Sequence, residues 1–188
     1  MKIVGIAGSI VGSKTKIAME AVMKKIHEQY PDADTTLVDL GELDIVFSDG
    51  RNYMEYEGDT GYVTQLLMAA DAIIIGTPTF QASIPGTLKN IFDLLPVDAF
   101  RDKIVSMVAT AGTAKHFLMV EQHLKPILAY MKATIIPTYV FIEEKDYYRK
   151  EIINDDVHFR IQRLVEDTVE TFKAMDIVRK EKEAAYDF

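Results

Sequence analysis

The sequence predicts a three-layer α/β sandwich: a five-stranded parallel sheet of order 2-1-3-4-5 with helices on both faces. Three observations carry that expectation. Short apolar runs rich in β-branched residues alternate along the chain with segments of helical period. The central run, Ala72-Ile73-Ile74-Ile75, is apolar at every position, which suits a strand buried on both faces. Loops rich in glycine, proline and hydroxyl side chains follow the first, third and fourth runs, at the carboxyl edge where such sheets bind ligands.

Taken in order, residues 2–8 form a first strand, Ile3-Val4-Gly5-Ile6-Ala7, closed by a Gly-Ser turn. Residues 15–30 carry Ile17, Ala18, Ala21, Val22 and Ile26 at helical spacing, and Pro31-Asp32 stops that helix. A second strand spans 35–40, followed by a long polar and aromatic-bearing stretch, 41–61, expected to be irregular. A short helix over 62–70 leads into the strand at Ala72, which Gly76-Thr77-Pro78 should end. Pro85-Gly86 then opens a helix with Leu88, Ile91, Phe92 and Leu95 on one face. Residues 103–109 are a fourth strand, and Phe117, Val120, Leu124, Ile127, Leu128 and Met131 mark one helical face. A fifth strand is expected over 135–142, at an edge or beginning near Pro137. Residues 143–156 are charged and turn-like; Val157, Ile161, Leu164, Val165, Thr168 and Phe172 pattern the last helix, with a frayed tail from about Arg179. With no linker or internal repeat, residues 1–188 are expected to form a single domain.

Composition narrows the function. A net charge of −8 speaks against broad nucleic-acid binding, which needs a basic face, but leaves room for a small anion held by a local patch. There is no cysteine, which removes disulfides, thiolate metal sites and cysteine nucleophiles. No apolar run reaches the length of a membrane span, and the N-terminus reads as a strand, so a cytoplasmic protein is expected. His27, His116, His123 and His158 lack metal-ligand spacing, so no metal site is predicted.

The chemistry lies in the loops. Gly8-Ser9-Ile10-Val11-Gly12-Ser13-Lys14-Thr15-Lys16 joins the first strand to the first helix. Ser9, Ser13 and Thr15 bring hydroxyls, Lys14 and Lys16 positive charge, and the helix start free N–H groups. That set makes a phosphate site. Its place after the first strand favours that reading over a turn with solvated lysines. A nucleoside-triphosphate P-loop needs glycine where Ser13 stands, and an acid after a strand where Asp71 precedes one. The second loop, from Pro78 through Thr79, Phe80 and Gln81 to Pro85, holds no nucleophile beside a base. Its backbone donors, aromatic ring and amide suit the rim of a flat heterocycle. Strand order 2-1-3-4-5 places the first two loops across one crevice.

These loops together resemble the NAD(P)H-dependent FMN reductases of the flavodoxin-like superfamily. The resemblance rests on the first loop, on 78–90 (PTFQASIPGTLKN) and on Ala109-Thr110-Ala111-Gly112-Thr113. The second stretch is similar to the family pattern P-x-Y-N-x-S-I-P-G-x-L-K-N-x-x-D, whose last position falls on Asp93. It is most similar to the reductases that serve alkanesulfonate monooxygenases, a match that also takes in 93–96 and 116–126, and the resemblance as a whole covers most of 2–142. Phe80 stands for the usual tyrosine, Gln81 for asparagine, and Gln122 for an aromatic at the subunit interface.

The resemblance implies the site residue by residue. Ser9, Ser13, Lys14, Thr15 and Lys16 would cradle the FMN phosphate. Pro78, Thr79, Phe80 and Gln81 would hold the isoalloxazine ring, bordered by Thr110, Ala111, Gly112 and Thr113. Ser83, Pro85, Gly86, Lys89 and Asp93 read as architecture. The implied reaction is hydride transfer from NADPH or NADH to FMN, with no catalytic side chain required. Reduced flavin would go to a flavin-dependent monooxygenase, or electrons to a quinone, azo or metal acceptor. A homodimer or homotetramer is also implied, with Phe92, Phe117 and Tyr130 as candidates for its face. Two other readings stay open: a flavodoxin-type electron carrier, which would bind FMN without oxidising NADPH, and a P-loop protein, which would need magnesium and nucleotide.

Overall fold

Side-chain alternation along the inner strands builds two cores. The computed structural model describes residues 1–186. Its strands are β1 (Lys2–Ala7), β2 (Asp34–Asp39), β3 (Ala72–Pro78), β4 (Ile104–Ala111), β5 (Thr134–Ile135) and β6 (Val140–Glu143). The sheet is parallel with order β2-β1-β3-β4-β5, and β6 also pairs with β4. Val4, Ile6, Ile73, Ile75, Val105 and Met107 face one core, shared with α2 (Gly58–Ala69), α3 (Gly86–Asp93) and α4 (Lys125–Tyr130). Ile3, Ala72, Ile74, Ile104 and Val108 face the other, beneath α1 (Lys14–Gln29) and α5 (Asp155–Tyr186). The period of two along each strand sorts the residues between the two faces. Ser106, a buried polar member of its strand face, donates to Thr168 Oγ1, whose own proton goes to the Leu164 carbonyl at 2.6 Å.

Several elements run differently from expectation. β3 does not stop at Gly76: Gly76, Thr77 and Pro78 pair with Val108, Ala109 and Thr110 of β4. Glycine is required at 76, because a Cβ there would lie 2.4 Å from Met19 Cγ of α1. Thr110 and Ala111, expected in a loop, are therefore strand residues at the rim. The expected fifth strand is split around Pro137. Val105 pairs with Ile135 and Val108 with Val140, so three steps along β4 meet five along the partner. The expected helix over Phe117–Met131 is broken as well. Pro126 has no N–H to donate to Gln122, and a π-helical turn at Val120–Leu124 takes up the register, with Lys125 N–H donating to the Val120 carbonyl. α2 starts four residues earlier than expected, at Gly58.

The charged stretch after β6 forms a 3₁₀ turn, Glu144–Asp146, and a small hairpin, β7 (Tyr147–Tyr148) with β8 (Glu151–Ile152). Helical backbone continues to Tyr186 through the stretch expected to fray, and residues 187–188 lie outside the described residues. The 41–57 stretch is largely irregular but pinned. Asn90 of α3 accepts from Ser48 N–H (2.9 Å) and donates to the Val46 carbonyl (2.9 Å), and Asp59 and Thr60 of α2 accept from Asp44 and Val46.

Candidate functional site

Three loops converge at the carboxyl edge of β1, β3 and β4. Gly8 N–H donates to the Gly76 carbonyl at 2.8 Å, and a Cβ at Gly8 would stand 2.8 Å from that oxygen, so the first loop lies directly on β3. Thr15 and Thr110 share a buried hydroxyl–hydroxyl hydrogen bond of 3.0 Å that joins the first loop to the end of β4. Thr79 N–H donates to the Thr110 carbonyl at 2.9 Å, which ties in the second loop. Between them lies a cleft of about 360 Å³.

Ser13, Lys14 and Thr15 line this cleft from one side, Pro78, Thr79 and Phe80 from another, and Thr110, Ala111 and Gly112 close it. Four expected site residues are not among its lining. Ser9 is buried and spends its hydroxyl within the loop, donating to the Val11 carbonyl at 2.7 Å. Lys16 turns away to pair with Glu42 and, at 2.9 Å, with Asp39. Those hydrogen bonds, Glu42 first, hold its ammonium above the ordinary lysine range. Thr113 caps the next turn by accepting from Lys115 N–H. Gln81 sits in the tip of a tight turn.

The backbone donors are sharply limited. In α1 the first intrahelical bond is from Ile17 N–H to the Ser13 carbonyl, at 2.9 Å. The N–H groups of Lys14, Thr15 and Lys16 precede it and have no intrahelical acceptor. Ser13 makes no side-chain cap, and the first turn carries no acid. This helix start therefore leaves backbone donors without intrahelical partners, with one lysine beside them. In the second loop Pro78 has no N–H, and Phe80 and Ser83 exchange backbone hydrogen bonds of 2.9 Å. Gln81 (φ 49°) and Ala82 (φ 60°) form the tip of that turn, both in the left-handed region that non-glycine residues enter only at a cost. Their N–H groups make no hydrogen bond among the described residues. Ser83 places its hydroxyl 3.2 Å from His123 Nδ1, and Pro85 takes the cap position of α3. Phe80 is 40% exposed, and Thr79 Oγ1 is buried without a partner.

Two kinds of lining residue escaped the sequence reading. Val11 and Gly12 accompany the hydroxyls of the first loop, and Glu144 enters from the turn after β6. Glu144 pairs with Lys14, and the Tyr147 hydroxyl donates to the Lys14 carbonyl at 3.1 Å. Burial, then the charges of Asp146 and Glu144, push the Tyr147 phenol above its ordinary range, so it stays a donor. No local pattern marks Glu144, which arrives through the fold alone. A larger groove of about 500 Å³, between Ile104 and the far half of α5, lies away from all three loops and offers mostly apolar surface. The unpaired donors of the first loop lie at the smaller cleft.

The sequence model of the family described as NADPH-dependent FMN reductase matches residues 1–147. An NAD(P)H-dependent FAD/FMN reductase of Geobacillus thermodenitrificans is 39% identical over 170 residues, covering 90% of this chain and 92% of that protein. The NADH-dependent FMN reductase SfnF of Pseudomonas fluorescens is 25% identical over 173 residues, 92% of each chain. Among solved structures, an apo NADH:FMN oxidoreductase (EMOB) superposes with a TM-score of 0.74 at 22% identity, covering 88% of this chain and 86% of the other. An archaeal flavodoxin superposes with a TM-score of 0.58 at 17% identity, covering 92% and 99%. These two show the flavodoxin-like fold.

Proposed function

We propose, since the chain belongs to the NADPH-dependent FMN reductase family, that the cleft between its three carboxyl-edge loops is where FMN is held and reduced. The activity is that of the family, an NAD(P)H-dependent FMN reductase. The observation that carries the site is the open start of α1 with Lys14 beside it, facing the exposed Phe80 across the cleft. The donor set fits the ligand. Unpaired N–H groups and a cation suit a phosphate, and the unpartnered Thr79 hydroxyl and the Phe80 ring suit a flat polar heterocycle.

Bound FMN supplies the redox chemistry, accepting a hydride from NADPH or NADH. The chain's part is to bind, orient and stabilise charge. Lys14 and the N–H groups of Lys14, Thr15 and Lys16 hold the phosphate end. The Thr15–Thr110 hydroxyl pair keeps the first and third loops at a fixed spacing. The free N–H groups of Gln81 and Ala82 lie outside the cleft lining, in the turn that Phe80 and Ser83 close, and would serve a ring edge that extends past Phe80, stabilising negative charge there. No histidine lines the cleft among the described residues, and Lys14 and Glu144 are its only charged side chains. Acid–base catalysis is not part of this reading.

For what lies beyond the cleft, we propose that reduced flavin leaves for a flavin-dependent monooxygenase and that the protein works as a homodimer or homotetramer. The openness of the cleft, with Phe80 at its rim, supports flavin exchange. Exposed Tyr130 (65%) beside an apolar groove with Leu95, Pro96 and Ile127 supports self-association. Phe117 is exposed too, whereas Phe92 is core, edge-on to Phe100. No helix among the described residues is long and apolar enough to cross a membrane.

The deciding experiment is NADPH and NADH oxidation by flavin-stripped protein with and without added FMN. Oxidation that appears only with FMN, and saturates with it, is the expected result. FMN binding without any oxidation of either nucleotide would leave an electron carrier in its place.

A further inference from the structure

We propose that Glu144 is a built-in competitor for the phosphate site, keeping FMN exchangeable by holding Lys14 when the flavin is absent. The inference rests on the reading of the cleft as the FMN site. It starts from the charge count there. Lys14 is the one cation in the lining, and Lys16, the other lysine of the loop, is committed to Asp39 and Glu42. Glu144 is the one carboxylate in the lining, and it is paired with Lys14. The charged side chains of this anion site therefore cancel before any anion arrives.

The turn that presents Glu144 is held firmly, while its carboxylate is free to change partners. Asp146 is buried and spends both carboxylate oxygens within the segment, accepting from Glu143 N–H (2.8 Å) and Asn154 Nδ2 (2.7 Å). Glu143 pairs with Lys145 at 2.7 Å. The Tyr147 hydroxyl, bonded to the Lys14 carbonyl, ties the whole turn to the start of α1. Of the three acids in this segment, only Glu144 is directed at the cleft. Its side chain is 63% exposed, and an exposed ion pair contributes little to stability. Its consequence lies in binding. A phosphate monoester carries a charge of about −1.5 to −2 at neutral pH. It competes with Glu144 for Lys14, and the carboxylate remains close by with like charge. Repulsion at roughly 6 Å in a solvent-rich cleft weakens binding by about tenfold. The repulsion acts on the phosphate end alone, so a flavin without phosphate escapes it.

The test is a titration of FMN and of riboflavin into flavin-stripped wild-type protein and Glu144→Gln, read by flavin fluorescence at low and high salt. The expected result is an FMN dissociation constant about tenfold lower in the variant, a riboflavin constant unchanged, and a gain that shrinks as salt screens the cleft. Unchanged FMN affinity, or an equal change for both flavins, would overturn the role of Glu144. So would weaker FMN binding, which would make Glu144 a support for Lys14 instead of its competitor. Inorganic phosphate, followed by amide shifts of residues 14–17, separates this inference from the flavin reading. Phosphate that binds more tightly to the variant supports the competitor even if wild-type protein binds no flavin, an outcome that would sink the FMN site alone.

Discussion

Thr79 Oγ1 is buried at the cleft without a hydrogen-bond partner, next to a backbone whose own N–H is already spent on Thr110. A buried hydroxyl left unpaired costs free energy in the empty protein and is recovered when a ligand pairs with it. Thr79→Val should therefore leave the thermal stability of the flavin-free protein unchanged or slightly higher. The same substitution should raise the FMN dissociation constant by about three- to tenfold, the worth of one hydrogen bond. Equal flavin affinity in the variant, measured by fluorescence titration, would remove Thr79 from the site. Gln81 and Ala82 show the same logic in the backbone. Both hold positive φ, and the strain of that turn leaves two N–H groups free at the tip.

At the scale of elements, the irregular stretch between β2 and α2 behaves as a fastened strap. Asn90 holds it at Ser48 and Val46, and farther along Asp49 accepts from Arg51 and from the buried Tyr56 hydroxyl at 3.0 Å. The Arg51 guanidinium foremost, and then its backbone N–H and Tyr56, hold the Asp49 carboxyl well below the usual carboxylate range. A carboxyl with a lowered folded-state pKa contributes stability above its unfolded value, about 4, and loses it as the pH falls through and below that value. Amide-exchange protection over residues 46–56, corrected for intrinsic rates, should thus be higher in wild type than in Asp49→Asn above about pH 4. The difference should close below it. Equal protection at neutral pH would show that Asn90 and the α2 contacts fasten the strap without Asp49.

Across the whole molecule, the sheet fixes the distances on which the cleft depends. Its three loops come from parts of the chain far apart in sequence, and the contacts that join them are few: Gly8 to Gly76, Thr79 to Thr110 and Thr15 to Thr110, with Tyr147 to Lys14 fastening the segment after β6 to the first of them. A ligand bridging these loops stabilises the folded state by mass action. FMN at a hundred times its dissociation constant should add about 2.7 kcal/mol, raising the unfolding midpoint of a chain this size by roughly 5–10 °C. A midpoint that does not move at that concentration would mean that FMN binds the unfolded chain as well as the folded one.

The order of the elements and the strand order were legible in the sequence, the first from local pattern and the second from the right-handed crossovers that alternating strands and helices impose. Short β-branched apolar runs mark the strands, the 3.6-residue period marks the helices, and the run from Pro78 to Asp93 carries its family resemblance on its face. The strand ends at 76–78 and 110–111 were not legible, since whether Gly76-Thr77-Pro78 continues a strand depends on a neighbour to pair with and on the clearance Met19 demands. The roles of individual charges were equally hidden. Lys14 and Lys16 are two residues apart and chemically identical, yet one faces the cleft and the other is taken by Asp39 and Glu42. Glu144 looks like any acid in a charged turn until β6 delivers it to the start of α1. The chain's own pattern decides which segments fold and in what order. Only the tertiary structure decides which donors and charges remain unspent, because a side chain's partner is chosen by distance in space.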